Sequence, residues 1–302
     1  MLLRQFHVIL GGSASPYTPV RRDLVASGDR GSSSATESAI PMSSIVTDRG
    51  LVHYEAYGRG RPVILLHGWL ESWVPWIGTM EALGRGYKAY ALDFWGFGES
   101  GKQVGSFTVQ DYVEMVDQFM EHLGIERALI IGHSMGGTVS LGLALEHPER
   151  VQKVAVVGSP IVGDGLALFL RLAARRFLAS LAYQVPGALT LGVRLFSPFL
   201  TRDWKTWYEM FERDLSRTTL ESFHYSIASL RKTDLRPRLR EIRVRALGVY
   251  GRVDRIVDPR QGEVLAQCTP MAEIRYFDRS GHFPMLDEPE RFYQTLCEFL
   301  DN

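Results

Sequence analysis

The sequence predicts an α/β protein with a mostly parallel central sheet, helices on both faces and a helical segment inserted after the sixth strand. Three observations carry this. Pro62–Leu66, Leu129–Ile131 and Val154–Val157 are unbroken apolar runs, the pattern of strands covered on both faces. Segments with helical periodicity, near 76–84 and 108–123, alternate with the strands. The alternation stops at Gly158-Ser159-Pro160 and resumes near Val244, leaving about 80 residues with helical periodicity and no good strand. Because the outer segments complete one pattern, the expected organisation is a core of residues 42–160 and 241–302 with a helical cap or lid over 161–240.

Residues 1–41 read differently. The stretch from Ala26 to Ser44 is dominated by Ser, Gly and Ala and is expected to be a disordered extension. Phe6–Leu10 is too short for a secretory core, so three readings stay open: a tail without a role, a coding start placed upstream of a true Met42, or a targeting segment. From Met42 the pattern sharpens. Ile45–Thr47, the turn Asp48-Arg49-Gly50 and Leu51–Tyr57 predict a hairpin, the first two strands. Pro62–Leu66 and Tyr87–Asp93 follow as the third and fourth, and Leu129–Ile131 with Val154–Val157 as the fifth and sixth. Val244–Gly251 and Glu273–Phe277 complete the sheet, and a helix opened by Pro289 closes the chain near Leu300.

Composition narrows the function classes. A 45% hydrophobic, 23% charged chain of 302 residues is an ordinary globular composition. Formal net charge is zero, which argues against a surface built to hold nucleic acid. Cys268 and Cys297 are too few for a disulfide framework and lack metal-ligand spacing, so free thiols in a reducing, cytoplasmic setting are expected. No apolar run reaches the roughly 18 residues that span a membrane, and no repeat of fixed period is present. No Gly-rich phosphate loop or metal-ligand cluster occurs, so no cofactor is implied.

The most informative stretch is Leu129-Ile130-Ile131-Gly132-His133-Ser134-Met135-Gly136-Gly137, an apolar strand ending in Gly-x-Ser-x-Gly and running into a helical pattern through Leu145. A serine at the tip of a sharp strand-to-helix turn needs glycine on both sides, because side chains there collide with neighbouring backbone. The helix N-terminus brings free N–H groups beside the hydroxyl, where a developing anion would be held. Four other loops follow predicted strands at the edge where open α/β sheets bind ligands: His67-Gly68-Trp69-Leu70, Asp93–Ser100, Gly251–Pro259 and Asp278–Pro284.

Together these motifs resemble the α/β-hydrolase fold superfamily, in its capped esterase, lipase and C–C hydrolase branch, over residues 43–302. The resemblance implies the chain order nucleophile, acid, histidine, which falls on Ser134, Asp254 and His282. It implies an oxyanion hole from the backbone N–H groups of Trp69 and Met135. Asp258, before Pro259, competes with Asp254 for the acid. Asp93 matches the family's structural aspartate at a tight turn, and His67 and His133 read as structural. The serine excludes the dehalogenases and epoxide hydrolases of this fold, which place an aspartate there.

The expected activity is hydrolysis of a small carboxylic ester with an apolar acyl group through an acyl-enzyme. C–C hydrolysis of the meta-cleavage-product type, amide hydrolysis, perhydrolysis and a slow ligand receptor or accessory protein are the alternatives the resemblance leaves open. Six tryptophans fall in active-edge loops or the cap, so one aromatic cleft is expected, with Trp73, Trp95, Phe169, Trp207 and Phe283 as candidate pocket residues. From Asp164 to Arg240 the sequence holds 13 Lys and Arg against 7 Asp and Glu, about +6. Two readings follow: a lid packed on the core with its arginines in water, or one that meets an anionic lipid surface.

Overall fold

The computed structural model describes residues 43–168, 170 and 186–302. Phe169 and most of the first predicted cap helix, 166–178, lie outside the described residues. The hairpin forms as expected, with β1 (Ser44–Thr47) antiparallel to β2 (Gly50–Gly58). The sheet continues through β3 (Arg61–Leu66), β4 (Tyr87–Leu92), β5 (Ala128–His133), β6 (Val151–Val157), β7 (Ala246–Gly251) and β8 (Ala272–Phe277). Strand order is β1-β2-β4-β3-β5-β6-β7-β8, and every pairing from β4 onward is parallel. The apolar runs are the reason. Val63–Leu66 and all of β5 are buried, because helices cover both faces of the central strands.

Each helix follows from local chemistry. Helix α1 (Ile77–Leu83) turns the chain from β3 to β4. Helix α2 (Val109–His122) opens with a capping box: the Thr108 hydroxyl accepts from Asp111 N–H, and the Asp111 carboxylate accepts from Thr108 N–H. Helix α3 (Met135–Glu146) starts directly at the end of β5 and is buried from Met135 to Leu145, which explains its apolar, small-residue sequence. After β8 the chain closes with α8 (Pro284–Asp287) and α9 (Pro289–Asp301), both opened by proline. Helix α7 (Gln261–Cys268) joins β7 to β8.

The inserted segment lies between β6 and β7 and, among the described residues, is helical: α4 (Pro186–Phe196), α5 (Trp204–Leu215) and α6 (Leu220–Lys232). It is fastened to the core loops rather than held apart. Ser222 Oγ donates to Gly96 O at 2.9 Å, and the Leu200 carbonyl accepts from His282 N–H at 3.0 Å. Its apolar side chains Trp207, Met210, Phe211, Phe223 and Ile227 are buried and continuous with the main core.

Candidate active site

Ser134 is the single residue between β5 and α3, with φ 48° and ψ −117°. Among the described residues only Leu70 (φ 61°) shares a positive φ without being glycine. Both lie at this edge of the sheet, and backbone strain of this kind persists only where the surroundings over-determine it. For Ser134 the surroundings are visible. Its N–H donates to Val157 O at 2.8 Å, and its carbonyl accepts from Gly137 N–H at 3.0 Å. A Cβ on Gly136 would lie 2.3 Å from Leu66 O and 2.6 Å from His67 O, so glycine there lets the start of α3 sit directly against the loop after β3.

Asp254 and His282 arrive on the loops after β7 and β8. His282 Nδ1 is 2.7 Å from Asp254 Oδ2, with side-chain exposures of only 5% and 1%. The other Asp254 oxygen accepts from Ile256 N–H at 2.7 Å and Val257 N–H at 3.0 Å, so the carboxylate is fixed on both sides. Asp258 is turned away, pairing with Arg260 at the surface. The His282 ring lies over Gly158, where an added Cβ would be 3.2 Å from Nδ1. Gly158 follows Val157, the residue that binds Ser134 N–H, and this places serine and imidazole on the same strand end. Ser134 Oγ makes no hydrogen bond among the described residues.

Around this group the loop 67–73 is held by an unusually complete set of bonds. His67 Nε2 accepts from Phe94 N–H at 2.9 Å and its Nδ1 faces Gly68 O at 2.7 Å, so the proton sits on Nδ1; burial also pushes the imidazole pKa down, keeping it neutral. Asp93 accepts from Trp73 N–H, Glu99 N–H and His53. Glu71 accepts from Gly68 N–H at 2.8 Å and faces His133 Nδ1 at 3.0 Å. The other His133 nitrogen faces His282 O at 2.9 Å. With acceptors at both ring nitrogens, His133 is an imidazolium paired with a carboxylate. Burial alone would raise Glu71 and lower His133, yet their mutual charge and hydrogen bond win: the acid's pKa is lowered and the base's raised. Among the described residues the N–H groups of Trp69, in the loop after β3, and Met135, the first residue of α3, have no hydrogen-bond partner.

The aromatic residues divide. Phe283 packs edge-on to His282 with centroids 5.3 Å apart and touches His133. Trp207 of α5 meets Phe283 at 5.7 Å and stacks on Phe211. Trp73 is half-buried, its main chain tied to Asp93. Trp95 departs from the expectation. It is fully buried, with the Arg49 guanidinium 5.1 Å from its ring, because the turn 94–97 folds inward and the hairpin closes over it. Trp76 is likewise fully buried, so the six tryptophans do not share one cleft. Glu71 was not singled out by the sequence; its only signal is an acid in the loop that follows a predicted strand.

Comparison with known proteins identifies the family. Residues 61–289 match the family model described as alpha/beta hydrolase fold. The pimeloyl-(acyl-carrier protein) methyl ester esterase of Vibrio cholerae is 29% identical over 266 residues, covering 82% of this chain and 97% of that protein. A 2-hydroxy-6-oxononadienedioate/2-hydroxy-6-oxononatrienedioate hydrolase of Paraburkholderia phymatum is 31% identical over 262 residues, covering 82% and 90%. The crystal structure of a hydrolase from Pseudomonas aeruginosa aligns with a TM-score of 0.78 at 22% identity, covering 87% of this chain and 100% of that one. The family match runs from β3 through the inserted helices to the histidine loop, and on it the chain belongs to the α/β-hydrolase family.

Proposed function

We propose that this protein is a serine hydrolase that cleaves carboxylic esters with an apolar acyl group through an acyl-enzyme. The observation that carries the reading is the buried Asp254–His282 pair, fixed from both sides, at the strand end where Ser134 is held in a strained turn. In this mechanism His282 Nε2 takes the hydroxyl proton as Ser134 Oγ bonds to the ester carbonyl carbon. Asp254 keeps the Nδ1 proton in place and stabilises the imidazolium. The carbonyl oxygen becomes an oxyanion facing the N–H groups of Trp69 and Met135. Collapse breaks the bond to the alkoxy oxygen, which leaves with the proton from His282. Water then repeats the sequence on the acyl-enzyme, releasing the acid and restoring Ser134.

Phe283 against the imidazole, with Trp207 packed on Phe283 and Phe211 on Trp207, favours an apolar acyl group. The same three catalytic residues would serve C–C hydrolysis, and the similarity to a dienedioate hydrolase keeps that as the second reading. A lipid-facing lid gains support from α4 and the turn after it. Leu195 and Phe199 are 69% and 52% exposed, Arg194 and Arg202 accompany them, and residues 186–202 contain no Asp or Glu.

The deciding experiment is hydrolysis of p-nitrophenyl esters from two to sixteen acyl carbons, with a fluorophosphonate probe alongside. Turnover with labelling at Ser134 is expected, with an optimum at medium or long chains. Labelling without ester turnover moves the assignment to C–C substrates or a receptor. Absence of both refutes the reading.

A further inference from the structure

The loop that carries Trp69 is tied to the inserted helices at two points as well as to the core. Trp69 Nε1 donates to Phe223 O of α6 at 3.0 Å, and the indole packs on the Phe223 ring with centroids 4.7 Å apart. Three residues on, Ser72 Oγ donates to Asp214 Oδ2 of α5 at 2.9 Å. Between these points sits Leu70 with its positive φ. A strained loop held at both ends keeps its shape only while the holders stay in place. The Asp214 tie is chemically unusual: the carboxyl is 2% exposed, and its second oxygen, Oδ1, has no hydrogen-bond partner among the described residues. An ionised carboxylate is costly there, and a neutral one much less so.

We infer that Asp214 is a positioning residue: through Ser72 it holds the loop bearing the Trp69 N–H, so that docking of the inserted helices and assembly of the oxyanion site are one event. This rests on the oxyanion role proposed above for Trp69. Neighbouring groups set the proton state. Burial raises the Asp214 pKa most; the Ser72 hydrogen bond and Arg213 on its own helix oppose this, while Asp93 and Glu71 from the core loops add to the rise. Lys102 and Arg217, which pairs with Glu99, complete the charged surroundings. The net result is a pKa pushed up to about 7. The sign follows from linkage. An undocked Asp214 in water ionises in the ordinary carboxylate range, so rising pH favours undocking from there upward, and the effect is complete once the docked pKa is passed.

The test compares wild type with Asp214→Ala, Asp214→Asn and Ser72→Ala, each checked for folding by thermal melting. The first readout is amide hydrogen exchange across residues 67–74 and 204–215, corrected for intrinsic exchange, from pH 5 to 8.5. Wild-type protection is expected to fall towards pH 7 and then level off. Asp214→Asn, neutral and still able to accept from Ser72, is expected to keep its pH 5 protection throughout. The second readout is ester turnover. Asp214→Ala and Ser72→Ala are expected to lower kcat about tenfold with KM within about twofold, because an oxyanion donor acts mainly on the transition state, and Asp214→Asn restores kcat. Wild-type protection independent of pH, or a loss in Asp214→Ala that appears in KM or that asparagine does not restore, overturns the inference. The exchange readout needs no turnover, so a wild type that hydrolyses no ester refutes the proposed activity while the tie is still read.

Discussion

Replacing Asp254 with asparagine changes one atom and predicts a large loss for a reason visible in the hydrogen bonds. In the native side chain one oxygen accepts from two backbone donors, Ile256 N–H and Val257 N–H, and the other faces His282 Nδ1. Asparagine has one acceptor oxygen. The two backbone donors claim it, because an amide NH2 turned towards them would oppose donor to donor at 2.7 and 3.0 Å. The NH2 group therefore faces His282 Nδ1, which must become the unprotonated nitrogen. The proton moves to Nε2, and the imidazole could not take the Ser134 proton as the proposed mechanism requires. A wrong tautomer with intact geometry costs about 10⁴ in kcat, roughly 5.5 kcal/mol. Asp258→Asn is the internal control. Its carboxylate pairs with Arg260 at the surface with 33% of the side chain exposed, and loss of such a pair is worth under about 1 kcal/mol. The assay is kcat and KM on p-nitrophenyl butyrate at neutral pH, with fluorophosphonate labelling rates and melting curves for each variant. Equal losses in the two variants, or a greater loss in Asp258→Asn, would refute the assignment and the tautomer argument with it.

Other expectations follow from the same geometry. Ser134→Ala should abolish ester turnover and probe labelling while the melting temperature stays near wild type; residual turnover of the native order would move the nucleophile elsewhere. Trp207→Ala removes a ring stacked on Phe211 and tilted against Phe283 and should cost about 3 kcal/mol in chemical denaturation, while shifting the ester optimum towards bulkier acyl groups; an unchanged chain-length profile would remove Trp207 from the pocket. Leu195→Asp with Phe199→Asp should weaken cosedimentation with anionic phospholipid vesicles at least tenfold, since each buried apolar side chain contributes about 1.5–3 kcal/mol; equal binding of wild type and variant would dispose of the lipid-facing lid. His53 titrates as a stability group. Burial lowers its pKa, but the hydrogen bonds to Asp93 and Glu55 prevail and raise it to about 9. Its contribution is fully present below about pH 6.5 and lost as pH rises through 9, so denaturation midpoints should fall over that window in wild type and flatten in His53→Gln.

Much of the architecture is written locally. Continuous apolar runs at Val63–Leu66 and Leu129–Ile131 read as strands covered on both faces, and the Pro at 289 marks where the last helix opens. The Gly-x-Ser-x-Gly turn is legible partly for the same reason: a Cβ on Gly132 would lie 2.2 Å from Gly136 O, a collision within the turn, whereas the approach that requires glycine at 136 is to Leu66 O and His67 O, on the neighbouring strand and loop. What sequence could not decide are contacts made across the fold. Asp254 and Asp258 have similar local settings, and only the packing of the β7 and β8 loops turns one to His282 and the other to solvent. Glu71 and His133 are 62 positions apart, and Ser72 and Asp214 are 142 apart. Their pairing depends on where loops and inserted helices settle, and no periodicity encodes that. Trp95 makes the same point in reverse: an aromatic at an active-edge loop suggested a cleft, whereas the hairpin folding over it made it core. Local sterics and hydrophobic period act over a few residues and can be read from the chain, while the burial and charge state of a polar group are properties of everything that surrounds it in three dimensions.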